Sequence, residues 1–268
     1  MVKESQIKIM KEGLATKGPI EMDKDMLKEV EEQLKDNPYD FLAHCARGVL
    51  YFNYDFEKAI ESFSDALAIN PFDSNQYYNR GRKFLSLDKY SQALSDLTVA
   101  VRIDDKDSWK WHFLGVAYFG LNRFKDAIDC FFKSIDLHFI NKTNNIPPEV
   151  EWIWLSYVQL GEFDKANEAL KLVDEDTPVQ GGDISYKRRI LLKRNIISAC
   201  EFESSINYES DSHAATELYG LANYYQHIEK NQKRVIEILE KILSIKTSHH
   251  AFAYKMAKHD YSLLVSLD

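Results

Sequence analysis

Two short amphipathic segments joined by a tight turn span Ser108 to Asp136, and their pattern recurs along the chain at a near-constant spacing. No other feature restricts the possible folds as strongly. Trp111, Leu114, Gly115 and Tyr118 share one face of the first segment at helical spacing. Ala127, Phe131 and Ser134 share one face of the second, and Gly120-Leu121-Asn122 separates the two, with Phe124 just before the second helix. Small Gly115 and Ala127 at facing positions allow two antiparallel helices to approach closely, while Trp111, Tyr118 and Phe131 fill the volume around the crossing. Such a hairpin cannot bury its apolar face alone, so the pattern predicts a stack of neighbours.

The neighbours are present. Between Phe41 and Asp73, Gly48 and Tyr51 stand for Gly115 and Tyr118, and Ala59, Phe63 and Ala66 for Ala127, Phe131 and Ser134; the turn Asn53-Tyr54-Asp55 is one residue short, and Asn70-Pro71 closes the unit. Ser74 to Asp107 is a full 34-residue unit with Tyr77, Gly81 and Phe84, then Tyr90, Ala93, Leu97 and Ala100, and Asp105 where Pro71 stood. The third unit is 108–141. After Leu137 the register slips by about five residues across HFINKTNNIPP. A fourth unit then runs over 147–177, with Trp152, Tyr157, Leu160-Gly161, Phe163, Ala166 and Leu170, and with Trp154 in the glycine position, which calls for a wider or shifted crossing.

Upstream, residues 2–12 read as a short helix with Ile7 and Met10 on one side, broken by Gly13, Gly18 and Pro19; Asp23 is placed to cap a helix carrying Leu27, Val30 and Leu34 that ends at Asn37-Pro38. Downstream, the regular pattern stops at Asp174 to Pro178, and Gln180-Gly181-Gly182 reads as a loop or hinge. Helices are expected near 183–200, 212–227, 230–245 and 248–265. Leu221, Ala222 and Tyr225 with Val235, Leu239 and Ile242 form a divergent fifth hairpin, and Phe252, Met256 and Leu263-Leu264 lie on a helix that would cover the end of the stack. The division expected is 1–37 as a degenerate cap, 38–175 as the array, and 183–268 as divergent helical repeats.

With 45% hydrophobic residues, 13% aromatic, 10 Gly, 6 Pro and no strict two-residue alternation, the chain is expected to be all-α and well packed. A net charge of −8 argues against a nucleic-acid partner. Cys45, Cys130 and Cys200 are widely separated, which argues against a disulfide framework or zinc site. The N-terminus is too polar for a signal peptide and no apolar run reaches membrane-span length, so the expectation is a soluble cytoplasmic chain without membrane contact. Asn141-Lys142-Thr143 reads as a polar loop.

Trp111, Leu114-Gly115, Tyr118, Ala127 and Phe131 in a 34-residue period, with Pro71 ending an earlier unit, resemble the tetratricopeptide repeat. The resemblance covers a little over half the chain: it is strong over 38–137, good over 147–175 and weak over 212–245. It implies a right-handed superhelical solenoid of antiparallel helix hairpins with an irregular helical C-terminal part. It also implies a concave groove, lined by the first helix of each repeat, that binds a peptide or partner protein. Carried onto this sequence, the groove positions are Leu42, Cys45, Val49 and Phe52 in the first repeat and Asn75, Tyr78, Asn79, Arg82 and Leu85 in the second. In the third they are Trp109, His112, Phe113, Val116 and Phe119, and in the fourth Glu151, Leu155 and Val158. One subgroup of the family clamps the C-terminal carboxylate of chaperone tails with Lys, Asn and Arg. The corresponding positions here hold Cys45, Val49, Asn79, Trp109 and Phe113, and only Asn79 fits; starting one repeat later gives Tyr78, Arg82, Phe113, Pro148 and Trp152, and none fits. No chaperone-tail binding is expected, because the cations that hold a carboxylate are missing.

The expected site is therefore a non-catalytic, apolar and aromatic groove built from Asn75, Tyr78, Asn79, Arg82, Trp109, His112, Val116 and Phe119, for an apolar or amphipathic protein segment. Two alternatives stand beside it. The chain itself could fill the groove, or its surface could drive homo-oligomerisation in a structural role. The basic run Lys187-Arg188-Arg189 with Lys193-Arg194 falls into two groups on nearly opposite sides of a helix and reads as solvated flanks around Ile190, Leu191 and Ile197. His249, His250 and His259 share no helical face, so no metal is expected. His112 and Cys45 sit in different repeats without a third residue to orient a base. No cofactor is expected, since Gly181-Gly182 runs into Asp183, which would repel a phosphate.

Overall fold

A computed structural model describes residues 23–179, 181–245 and 252–266, apart from the side chain of residue 212. The helix read over 2–12 lies outside the described residues. Fourteen α-helices, no strand and one 3-10 turn are found among those described. The chain divides into two compact units, Met1–Asn141 and Lys142–Asp268, so the boundary falls between the third and fourth hairpins.

The first unit opens with α1 (Lys24–Asp36), where Asp23 accepts from the Met26 N–H as its sequence position suggests. Three hairpins follow: α2 (Phe41–Tyr51) with α3 (Phe56–Ile69), α4 (Ser74–Ser86) with α5 (Tyr90–Ile103), and α6 (Ser108–Gly120) with α7 (Phe124–Ile140). Each first helix is started by an aspartate N-cap, Asp40, Asp73 or Asp107. Asn37, Asn70 and Asp104 each accept, through Oδ1, from the backbone N–H two residues on, so Asp104-Asp105 makes without proline the same link that Asn-Pro makes elsewhere.

Within hairpins the turn is closed by a left-handed residue, Asp88 (φ 57°) and Asn122 (φ 58°), with Lys89 N–H reaching Phe84 O and Arg123 N–H reaching Tyr118 O at 2.9 Å. This closure replaces the missing side-chain caps of α5 and α7. Each first-helix glycine faces a large residue of the second helix: a Cβ on Gly115 would lie 2.6 Å from Phe131 and one on Gly81 2.8 Å from Leu97. Helix α7 runs on through Ile140, so part of the segment where the period slips is helix rather than loop; nothing breaks it until Asn141.

In the second unit, α8 (Pro147–Gln159) pairs with α9 (Phe163–Leu170), and Gly161 (φ 73°) closes their turn as Asp88 and Asn122 do. Trp154, in the glycine position, is 1% exposed and packs on the Lys193 ammonium (4.6 Å) and the His227 ring (5.6 Å). Its bulk is taken up by helices outside the hairpin, and α9 is only eight residues long. The helix expected over 183–200 is two: α10 (Ile184–Lys193) and α11 (Ala199–Ser204). Asn195 turns left-handed (φ 57°), Ile196 N–H bonds back to Leu191 O, and Ser198 caps the new start, so the apolar period continues across a break. The fifth hairpin, α12 (Asp211–His227) with α13 (Gln232–Leu243), and the last helix α14 (Phe252–Val265) share a core of Leu218, Leu221, Ile238, Ile242 and Ala257, onto which Met256 and Leu264 pack. Leu263 stays half exposed, and residues 248–251 of the expected last helix lie outside the described residues.

His227 carries a pH prediction. Burial, with Lys230 and Lys193 nearby, pushes its imidazole down to about 4. The unfolded chain binds that proton near 6.5, so stability is lost as pH falls from 6.5 toward 4. His227→Gln should flatten the denaturation midpoint over that interval, measured against the parent chain.

Candidate functional site

Repeat four presents no open groove. Glu151, 2% exposed, accepts from Lys193 Nζ at 2.8 and 3.0 Å, with Arg189 at 3.9 Å; Leu155 and Val158 are also buried. Helix α10 covers that face of α8. This corrects the reading of the basic run as solvated. Arg189 and Lys193 are 5% and 3% exposed, Lys187 donates to the Glu175 and Thr177 carbonyls, Arg188 pairs with Glu217, and Arg194 donates to the Val173 carbonyl. Two helix faces are basic because α10 is packed on more than one side.

In the first unit the groove positions form a graded set. Cys45, Val49, Phe52, Asn79, His112, Val116 and Phe119 are buried; Asn75 is exposed; Tyr78, Arg82, Trp109 and Phe113 lie between. The rings run from repeat to repeat. Tyr78 meets Phe113 edge-on at 5.7 Å, Trp109 tilts over Phe113 at 6.4 Å, and His112 sits among Trp109, Phe113 and Phe131 at 5.2, 5.1 and 5.7 Å. Behind them His138 packs on Trp109 at 5.8 Å. Burial pushes the Tyr78 phenol up, while Arg82 pulls it the other way.

Arg82 stands inside this ring set. Its guanidinium carbon is 4.7 Å from the Phe52 ring, 5.2 Å from Tyr78 and 4.8 Å from Phe113, one ring from each of three successive repeats. The next residue, Lys83, escaped the sequence reading. It is 5% exposed, donates to Phe52 O at 2.8 Å and lies 3.5 Å from the Phe52 ring centre; burial drives its ammonium well below the ordinary value, with Arg82 adding to the effect. The signal that could have found it is Arg82-Lys83 in a helix with no acidic residue. One turn before, Asn79 is 1% exposed and neither polar atom of its amide has a hydrogen-bond partner.

Cys45 and Cys130 are free and buried, burial raising both thiols, the latter to about 12; Cys200 is free and exposed. Among the described residues no group of three or more His, Cys, Asp or Glu could hold a metal ion, and no helix is long and apolar enough to cross a membrane.

No family model matches the chain. Over 89 residues it is 34% identical to heat shock protein STI1 of Saccharomyces cerevisiae, covering 33% of this chain and 15% of that protein. Over 99 residues it is 28% identical to small glutamine-rich tetratricopeptide repeat-containing protein 2 of the same yeast, covering 37% and 29%. The match therefore spans less than a third of either relative. Among solved structures, a crystal structure of MamA superposes with a TM-score of 0.54 at 20% identity, over 64% of this chain and 94% of that one. MamA from Desulfovibrio magneticus RS-1, residue 41 to the end, gives 0.53 at 20% over 63% and 90%. That level of identity speaks to the fold, and the yeast relatives speak to the repeat. The helical hairpins of this chain are similar to tetratricopeptide repeats, in sequence over about a third of the chain to the yeast relatives and in fold to MamA.

Proposed function

We propose that the chain is a non-catalytic scaffold of the cytoplasm that holds an apolar or amphipathic segment of a partner protein in the groove of repeats one to three. The observation that carries this reading is the partly buried ledge of Tyr78, Phe113 and Trp109, which crosses from the second repeat to the third with ring-to-ring contact. Rigid aromatic side chains already ordered by one another lose little entropy on binding and offer large contact area. Asn75, Tyr78, Arg82 and Trp109 supply the surface a partner meets. Asn79, His112, Val116 and Phe119 are buried, and His112 packs on the Trp109 ring. The expected partner is not a chaperone tail, even though one yeast relative is named a heat shock protein, since the positions that would clamp its carboxylate hold Cys45, Val49, Asn79, Trp109 and Phe113, and only Asn79 fits.

The test is selection of random twelve-residue peptides displayed on phage against the whole chain. Enriched peptides should bind the parent and lose roughly tenfold or more in affinity on Tyr78→Ala combined with Trp109→Ala. Enriched peptides that ignore the double variant, with its helicity intact by circular dichroism, would overturn the groove assignment.

A further inference from the structure

The three groove-lining helices contain no acidic residue, although the whole chain carries a net charge of −8. Helices α2, α4 and α6 hold five cations: Arg47, then Arg80, Arg82 and Lys83, then Lys110. Three are neutralised from elsewhere. Arg47 pairs with Asp65 at 2.8 Å, Arg80 with Asp96 at 2.7 Å, and Lys110 with Asp104 at 2.5 Å. Lys83 is bound by one carbonyl. Arg82 has three rings around it, and no oxygen among the described residues accepts from its guanidinium.

We infer that Arg82 is the docking point for a carboxylate of the partner segment, an Asp or Glu side chain flanked by apolar residues that rest on Tyr78, Phe113 and Trp109. This rests on the groove reading above and adds to it the chemistry of the occupant. A half-buried guanidinium attracts an anion more strongly than a solvated one, because less water screens the pair. The rings hold its plane while leaving its N–H groups unmatched, and a carboxylate matches that fork. A single unmatched guanidinium suits a single carboxylate. A polyanion such as RNA would want several free cations, and the other arginines of these helices are already tied to aspartates.

The experiment uses the enriched peptides in matched pairs that differ only by Asp→Asn or Glu→Gln, titrated calorimetrically against the parent chain, Arg82→Gln and Arg82→Lys. The enriched set should share an acidic position. Its amide should bind the parent on the order of tenfold more weakly, the figure expected for a charge-assisted bond. Arg82→Gln should erase the difference between acid and amide, and Arg82→Lys should keep part of it. Peptides that engage the ledge without an acidic preference would overturn the carboxylate inference while leaving the groove reading standing. An acid–amide difference that survives Arg82→Gln would do the same. No enrichment at all would overturn both. Filter retention of mixed single-stranded RNA, lost on Arg82→Gln, would assign the site to a nucleic acid and overturn the inference as well.

Discussion

Glu151→Gln is expected to destabilise the chain by about 3–5 kcal/mol, the cost of leaving a buried cation without its counter-charge. Glu151 and the Lys193 side chain are almost wholly out of water, and the carboxylate is the only anion within ion-pair distance of both Lys193 and Arg189 among the described residues. Burial already pulls the Lys193 ammonium below its ordinary value of 10.5, with Glu151 opposing the shift. Removing Glu151 removes the opposition. A cation whose folded value is lowered binds its proton better in the unfolded chain, so the variant gains stability as pH rises from the folded value toward 10.5. The deficit in denaturation midpoint should therefore be largest near neutral pH and shrink on the alkaline side. Glu151→Leu combined with Lys193→Met removes both charges and should recover most of the loss. A Glu151→Gln midpoint within experimental error of the parent would show that the pair is not buried as described.

The same pair marks where the sequence stopped being readable. Helix periods, caps and the glycine-to-ring matches are local, each settled within one turn or one 34-residue unit, and the array followed from them. Glu151 and Lys193 are 42 residues apart, with a loop and a 3-10 turn between, and no periodicity links them. On a helical wheel the basic run of α10 splits into two sides, and one exposed side is the ordinary expectation for a surface helix. The groove face of α8 and α10 bury each other instead, and the cations come along with matched acceptors. The break at Asn195 was hidden for a different reason: Ile196 and Ile197 continue the apolar spacing, so the pattern outlasts the helix. Asn in the left-handed region and Ser198 as a cap were legible signals that hydrophobic spacing outvoted. The groove itself is intermediate. Its positions could be carried over from the repeat, but their burial depends on how one ring leans on another across repeats. That is why Val116 and Phe119 are buried while Trp109 and Phe113 on the same helix stay partly exposed.

Gly115→Ala tests the part that was legible, and it is expected to cost about 1–3 kcal/mol where an ordinary helix would gain. In an exposed helix interior Gly→Ala stabilises by roughly 1 kcal/mol, because alanine restricts the unfolded chain. Here the new methyl carbon would lie 2.6, 2.8 and 2.9 Å from three atoms of the Phe131 ring, well inside contact distance. The ring cannot swing aside freely. Phe131 is fully buried, His112 packs on it at 5.7 Å, and Ser134 on the same helix holds the crossing by donating to Ser108 O at 2.9 Å. Strain is then taken up by parting α6 from α7, which loosens the contacts under Trp109 and His112 as well. The decisive measurement is a double-mutant cycle with Phe131→Leu. The smaller side chain opens space for the methyl group, so Gly115→Ala should be near neutral or stabilising in that background, with a coupling of about 1 kcal/mol or more. Additive effects would mean that the glycine serves the backbone rather than the crossing. Coupling would instead tie the 34-residue period to one physical cause, the space a phenyl ring needs between two antiparallel helices.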